Sequence, residues 1–233
     1  MKIEYIGHSG FLAETESALL LFDYYRGDLS GLKKRKDRKP LFVFASHAHS
    51  DHYNPEIFSL ADGERETVFL LSSDIRGDRR VPRGRDVRWM DADATCEIGG
   101  LGRVRTFVST DEGTAFLVTT PGETLFHAGD LNFWDWPGED PAWLREQETV
   151  FTREIRKIGK DPIDAAFVVL DDRLEENFAN GLRLFLACCR PRYVLPMHFR
   201  KGSGVVERFR KLPGVPGPGA VILDTEREKL WEI

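Results

Sequence analysis

Residues 47–52 read His-Ala-His-Ser-Asp-His, which puts four side chains able to bind a metal into six positions. The whole chain has six histidines, His8, His47, His49, His52, His127 and His198, so half of them fall in this hexapeptide. Side chains two apart on an extended backbone share a side, so His47 and His49 point the same way. Asp51 and His52 follow in the turn and can face a second point nearby. Imidazole together with carboxylate suits zinc, manganese or iron. One ion cannot comfortably take all four ligands from so tight a loop, which points to two ions. Two further candidate sets lie downstream: His127 with Asp130, and then His198.

These residues must be carried to one place, and the strand pattern supplies the means. Residues 41–45 are an unbroken apolar run that leads straight into His47, as expected of a strand buried on both faces. Residues 163–170 form a second such run, and strands over 124–127 and 193–196 end at His127 and just before His198. Strand ends in a layered α/β fold share one rim, so ligands far apart in sequence can converge there. The remaining elements frame that core. Residues 2–6, 11–15 and 18–22 read as a meander, with further strands at 67–71, 86–90 and 221–224. Residues 103–109 and 114–119 read as an antiparallel pair. Asn54 and Pro55 suit the start of a helix. A longer helix begins at Asp140-Pro141 and stops at Gly159, and others cover 174–189 and 205–211. The Pro/Gly stretch 213–220 links the last helix to the last strand. Strands and helices alternate throughout, which implies an α/β fold and a single domain over 1–233.

Composition narrows the class. The chain of 233 residues is 41% hydrophobic and 30% charged, which argues for a globular fold and against disorder. A net charge of −5 disfavours a dedicated nucleic-acid binder. The three cysteines, Cys96, Cys188 and Cys189, form no Cys-x-x-Cys pair, so they read as packing residues, not zinc ligands. The opening MKIEYIGHSG lacks a signal-peptide pattern, and no apolar run approaches the roughly 18 residues of a membrane span. A cytoplasmic location is expected.

His-x-His-x-Asp-His, then His127 with Asp130, then His198, resembles the metallo-β-lactamase superfamily of hydrolases over most of the chain. The resemblance implies an αββα four-layer sandwich with two divalent metals, zinc foremost and manganese or iron as alternatives, at one rim of the sheets. It implies that His47, His49 and His127 hold the first metal, that Asp51, His52 and His198 hold the second, and that Asp130 bridges them. The N-terminal GHSGFL, followed by a strand ending in Asp23, is similar to the subgroup containing ascorbate-6-phosphate lactonase-like proteins. That match implies that His8 lines the site as a substrate contact or supporting group, with Asp23 orienting a ligand histidine. Tyr53-Asn54 stands where many members have a glycine, which touches the shape of the loop and not the ligands. His49 stands where the flavodiiron branch usually has glutamate, which disfavours oxygen or nitric-oxide reduction.

The expected activity is metal-dependent hydrolysis of a small cytoplasmic ester, lactone or phosphoester by a hydroxide bridging two metals. Asp51 serves as ligand and proton acceptor. No Gly-x-Ser-x-Gly offers a competing nucleophile. Phe133, Trp134 and Trp136 follow Asp130 closely and either line the pocket mouth or pack in a wall or dimer contact. Thr110-Asp111-Glu112 reads as a hairpin turn, with proximity to the metals as the alternative. The basic segments 33–39 and 76–88 leave open a nuclease or phosphodiesterase, and the arginine-rich segment and the tryptophans are candidate homo-oligomer contacts. A third alternative is a metal-binding sensor or scaffold without catalysis, which a complete ligand set disfavours.

Overall fold

The computed structural model describes residues 1–215 and 219–233. Its first sheet is built from β1 (Lys2–Gly7), β2 (Gly10–Glu14), β3 (Leu19–Phe22), β4 (Leu41–Ala45), β5 (Thr67–Ser72) and β6 (Asp86–Met90) in chain order. The second contains β7 (Thr95–Ile98), β8 (Gly102–Val108), β9 (Thr114–Thr119), β10 (Thr124–His127), β11 (Ala165–Val169), β12 (Tyr193–Met197) and β13 (Val221–Ile222). The last strand, β14 (Leu230–Glu232), returns to the first sheet and pairs antiparallel with β1. The helices are α1 (Ser30–Lys33), α2 (Pro141–Ile158), α3 (Asn180–Cys188) and α4 (Val205–Arg210).

Both sheets begin antiparallel and finish parallel. Strands β3 to β6 run parallel in one sheet, and β10 to β13 run parallel in the other. Their carboxyl ends carry Asp23, the 47–52 loop, the 127–130 loop, Asp171 and His198.

Alternation along the apolar runs explains why they are unbroken. In β3 and β4, Leu20, Phe22, Phe42 and Phe44 face the second sheet and join one core with Phe116 and Phe167. Leu19, Leu21, Leu41, Val43 and Ala45 face the other way, where Leu29, Leu32, Ile57, Phe58 and Leu60 cover them. Phe185 of α3 stacks on Phe126 at 5.3 Å on the outer side of the second sheet. Helix, sheet, sheet and helix form the α/β sandwich that the sequence implied.

Helix α2 starts at Asp140, whose side chain accepts the Ala142 and Trp143 N–H groups, and ends at Gly159 as the punctuation predicts. Asn54 likewise accepts the Glu56 N–H, though the element that it caps is a 3₁₀ turn over Pro55–Leu60. The single helix expected over 174–189 is instead a 3₁₀ turn, Asp172–Asn177, followed by α3. Glu175 breaks the continuity at φ 52°. Gly181 sits within α3 because a Cβ there would lie 1.9 Å from Asn132 Oδ1, so the helix packs directly on the chain just past Asp130. Strands β7 and β14 were not expected. Each is short, and β14 is defined by pairing with a strand at the opposite end of the chain. Of the 213–220 link, residues 216–218 lie outside the described residues.

Candidate metal centre

The 47–52 loop follows β4, which ends at Ala45, and Asp23 at the end of neighbouring β3 organises it. One Asp23 oxygen accepts the Ser46 N–H at 2.7 Å. The other accepts the Ser46 hydroxyl at 2.6 Å and His52 Nδ1–H at 2.7 Å. The Ser46 Oγ, having donated to Asp23, accepts His47 Nδ1–H at 2.9 Å. Each Nδ1 therefore carries its proton, and each Nε2 presents a lone pair. The His198 ring is fixed in the same way by buried Asp171, whose Oδ2 accepts Nδ1–H at 2.9 Å. Burial alone would raise the Asp171 carboxyl, but His198 and Arg173 outweigh it and bring the pKa down to about 2.

The Nε2 atoms converge on Asp130. Its Oδ2 lies 3.5 Å from His47 Nε2, while its Oδ1 lies 3.1 Å from His52 Nε2 and 3.4 Å from His198 Nε2. His49 Nδ1 stands 3.0 Å from His47 Nε2, so these two nitrogens share one focus. Across the cleft, His8 Nε2 is 3.4 Å from Asp51 Oδ2. Beside that imidazole the Asp51 carboxyl is held well below the usual carboxylate range. Burial would raise the Asp130 carboxyl, yet the surrounding imidazoles of His198, His52 and His47 hold it down.

Three buried atoms at this focus, His8 Nε2, His52 Nε2 and Asp130 Oδ1, have no hydrogen-bond partner among the described residues. Buried polar atoms rarely stay unpartnered. Lone pairs aimed at one another with nothing between them repel, and a cation is the group that satisfies them together. One ligand atom from each of His8, Asp51, His52 and His198 lies within 4.8 Å of the others, and the same holds for His47, His52 and Asp130 and for His49, Asp111 and Asp130. The donor set of imidazoles and carboxylates fits divalent metals.

The backbone is strained to achieve this. Among the described residues five non-glycine residues have positive φ, and three of them, His8 (52°), Asp23 (40°) and His198 (68°), belong to the site. Such conformations cost roughly 1–3 kcal/mol each and persist where surrounding bonds hold them. The His8 carbonyl accepts both the His198 N–H at 3.1 Å and the Tyr5 hydroxyl at 3.0 Å, tying β1 of one sheet to β12 of the other.

A family model described as a beta-lactamase superfamily domain matches residues 2–134. A UPF0173 metal-dependent hydrolase of Opitutus terrae is 30% identical over 218 residues, spanning 88% of this chain and 87% of the relative. The chain belongs to the metallo-β-lactamase superfamily of metal-dependent hydrolases. Among solved structures, the metallo-hydrolase Igni18 of Ignicoccus hospitalis shares the fold, with a TM-score of 0.67, 17% identity and coverage of 100% of this chain and 98% of that one. So does CmlA, a diiron β-hydroxylase from Streptomyces venezuelae, with a TM-score of 0.62 and 13% identity over 95% of this chain and 52% of that one.

In this superfamily member the focus opens into a cavity of about 260 Å³ lined by His49, Asp51, Asp111, Asp130, Arg173 and His198, with Trp134, Trp136 and Trp143 as its aromatic wall. Trp134 donates its indole N–H to the Asp130 carbonyl at 3.0 Å, stacks on Trp136 at 5.9 Å and meets the His198 ring edge-on at 5.6 Å. Arg173 lies over Trp136 and is clasped by Asp171. Asp171 and Arg173 carried no sequence signal, because neither belongs to a motif and their partners lie 27 and 37 residues away.

His127 is placed differently from the expectation. Its ring is fully buried beneath the focus and stacked on Phe22 at 5.1 Å. Its Nε2–H donates to the Ser9 carbonyl at 2.8 Å, and its Nδ1 accepts the Gly129 N–H at 3.1 Å. Neither nitrogen is left for another partner. It also stands outside the three groups of converging donors. A histidine ending a strand two residues before a glycine looks the same in sequence whether it faces the rim or the floor.

Only part of each basic segment is paired with the chain's own acids. Arg35 pairs with Glu14 and Asp37, Lys39 with Glu14, Arg80 with Asp78, and Arg88 with Asp86. The cysteines pack as expected, with Cys189 buried and donating its thiol to the Ile155 carbonyl. No helix among the described residues is long and apolar enough to cross a membrane.

Proposed function

We propose that this hydrolase is a two-metal enzyme acting on a small ester, lactone or phosphoester, within one domain that spans 1–233. The observation that supports two metals is the split of Asp130. One of its oxygens faces His47, and the other faces His52 and His198. A carboxylate so divided suits a bridge. His47 and His49 then serve the first position, Asp51, His52 and His198 the second, and Asp130 both. Two divalent ions held there would supply Lewis acidity and a water of lowered pKa, with zinc, manganese or iron each compatible.

The chain's own residues do the rest. Asp23 and Asp171 fix the ring orientation of His52 and His198 through their Nδ1 protons. His8, with an unpartnered Nε2 3.4 Å from Asp51, is placed to contact the substrate at the cavity edge. The tryptophan wall excludes water from one side and offers flat apolar surface to a ring or chain of the substrate. A small-molecule substrate is favoured by the cavity of about 260 Å³.

Metal analysis with a substrate panel tests this reading. Two equivalents of metal and turnover of a lactone or nitrophenyl ester, with bis-nitrophenyl phosphate untouched, are expected. Cleavage of the phosphodiester alone would instead support the nuclease, and Asp130→Ala with full activity would refute the bridge.

A further inference from the structure

We propose that Asp111, not a fifth histidine, completes the first metal position, giving a His47, His49, Asp111 and Asp130 set that suits an oxygen-preferring divalent ion such as manganese. The inference rests on the two-metal reading above and deepens it.

Recruiting His127 would require breaking its bonds to the Ser9 carbonyl and the Gly129 N–H, leaving two buried backbone groups unpartnered. It would also unstack the ring from Phe22. Asp111 stands at the rim of the same focus. One of its oxygens already lies within 4.8 Å of a His49 ring nitrogen and an Asp130 oxygen, and it lines the same cavity. Asp130 is nine-tenths buried or more, and its Oδ2, 3.5 Å from His47 Nε2, faces this first position.

The turn that carries Asp111 is held against the ligand loop on several sides. The Thr114 N–H donates to the Ser46 carbonyl at 2.9 Å. Gly113, at φ 68°, passes so close that a Cβ would fall 1.9 Å from the Ser46 carbonyl oxygen and 2.5 Å from His47 Cβ. The Thr110 hydroxyl donates to the Asn132 carbonyl at 2.6 Å, and Gln147 donates to the Thr110 carbonyl at 3.2 Å. An ordinary hairpin turn has no need of this clamping.

Replacing an imidazole by a carboxylate changes the chemistry of the pair of sites. Across both positions the set becomes four histidines, His47, His49, His52 and His198, with three aspartates, Asp51, Asp111 and Asp130. More charged oxygen donors favour harder ions over zinc relative to an imidazole-rich set.

The test is a metal titration of the chelated and reloaded full-length protein, read by mass spectrometry of bound metal and by competition with a chromogenic chelator. Wild type is expected to take two equivalents of Mn²⁺. Asp111→Asn should take one, with its unfolding temperature in excess chelator unchanged, which separates lost ligation from lost folding. Asp111→His should keep two sites but shift the preference toward Zn²⁺ over Mn²⁺ by about tenfold or more. His127→Gln should keep two sites even if it melts earlier. Two equivalents with unchanged affinity in Asp111→Asn would overturn the proposal, as would a folded His127→Gln that loses one. If wild type itself takes a single ion, the two-metal reading fails. Asp111 then survives as a ligand only if Asp111→Asn weakens that ion about tenfold or more, and falls if it does not.

Discussion

Asp23 accepts the Nδ1 proton of His52 at 2.7 Å from the end of the adjacent strand, 29 residues earlier in the chain. The same carboxylate takes the Ser46 N–H and hydroxyl, and Ser46 in turn sets the His47 ring. One buried group thus fixes the tautomers of histidines proposed for different metals. Asp23→Asn should keep the shape of the site but break this chain of donors. Metal affinity is expected to fall about 10–100-fold, measured by chelator competition, with near-native circular dichroism. An unchanged affinity would mean that Asp23 only packs.

Gly113 makes a separate prediction because it concerns geometry and not charge. Gly113→Ala places a methyl group on the Ser46 carbonyl and imposes a left-handed φ on a residue with a Cβ. The β8–β9 turn must move away from His47, so metal affinity and turnover should both drop sharply. A stability loss of several kcal/mol, on the order of that for overpacking plus backbone strain, is expected in thermal or denaturant unfolding. Wild-type melting and wild-type metal affinity together would contradict the close approach.

Metal removal should affect stability as well as activity. The donors around Asp130 face one another without a partner, so binding a cation to the folded state alone stabilises it by mass action, about 2.7 kcal/mol at a free metal concentration 100 times the dissociation constant. Dialysis against EDTA should abolish hydrolysis and lower the unfolding temperature, and added metal should restore both. A melting temperature indifferent to verified metal loss would count against a metal at this focus.

Glu14 supplies a pH dependence remote from the metals. Its carboxylate takes two bonds from Arg35 and one from Lys39, which hold its pKa below the ordinary value of 4.5. The folded state thus prefers the ionised form. The resulting stability is full above about pH 4.5 and is lost as pH falls through the lower folded value. Glu14→Gln should be less stable by roughly 1 kcal/mol at pH 7, and its unfolding curve should converge with wild type in acid. Parallel curves across the whole range would show that the pair contributes no linkage.

Much of the fold follows from local pattern. The apolar runs at β4 and β11, the turn chemistry at Asn54-Pro55 and Asp140-Pro141, and the stop at Gly159 each express a rule that acts over a few residues. The helix expected over 174–189 begins only at Asn180, after Asp171 and Asp172 bond His198 and Arg200 far along the chain and the backbone kinks at Glu175. β14 was invisible because its strand character comes from β1.

The site divides along the same line. By itself the sequence marked out the candidate donors of one loop: His47, His49, Asp51 and His52 are neighbours, so their spacing alone speaks for metal. Tertiary structure decided which distant residues join them. It brought Asp130 and His198 to the focus, backed His52 and His198 with Asp23 and Asp171, turned His127 to the floor against Ser9, and set Asp111 at the rim. The reason is physical. The direction of a side chain at a strand end depends on which hydrogen bonds the packed neighbours offer, and those neighbours lie tens of residues away.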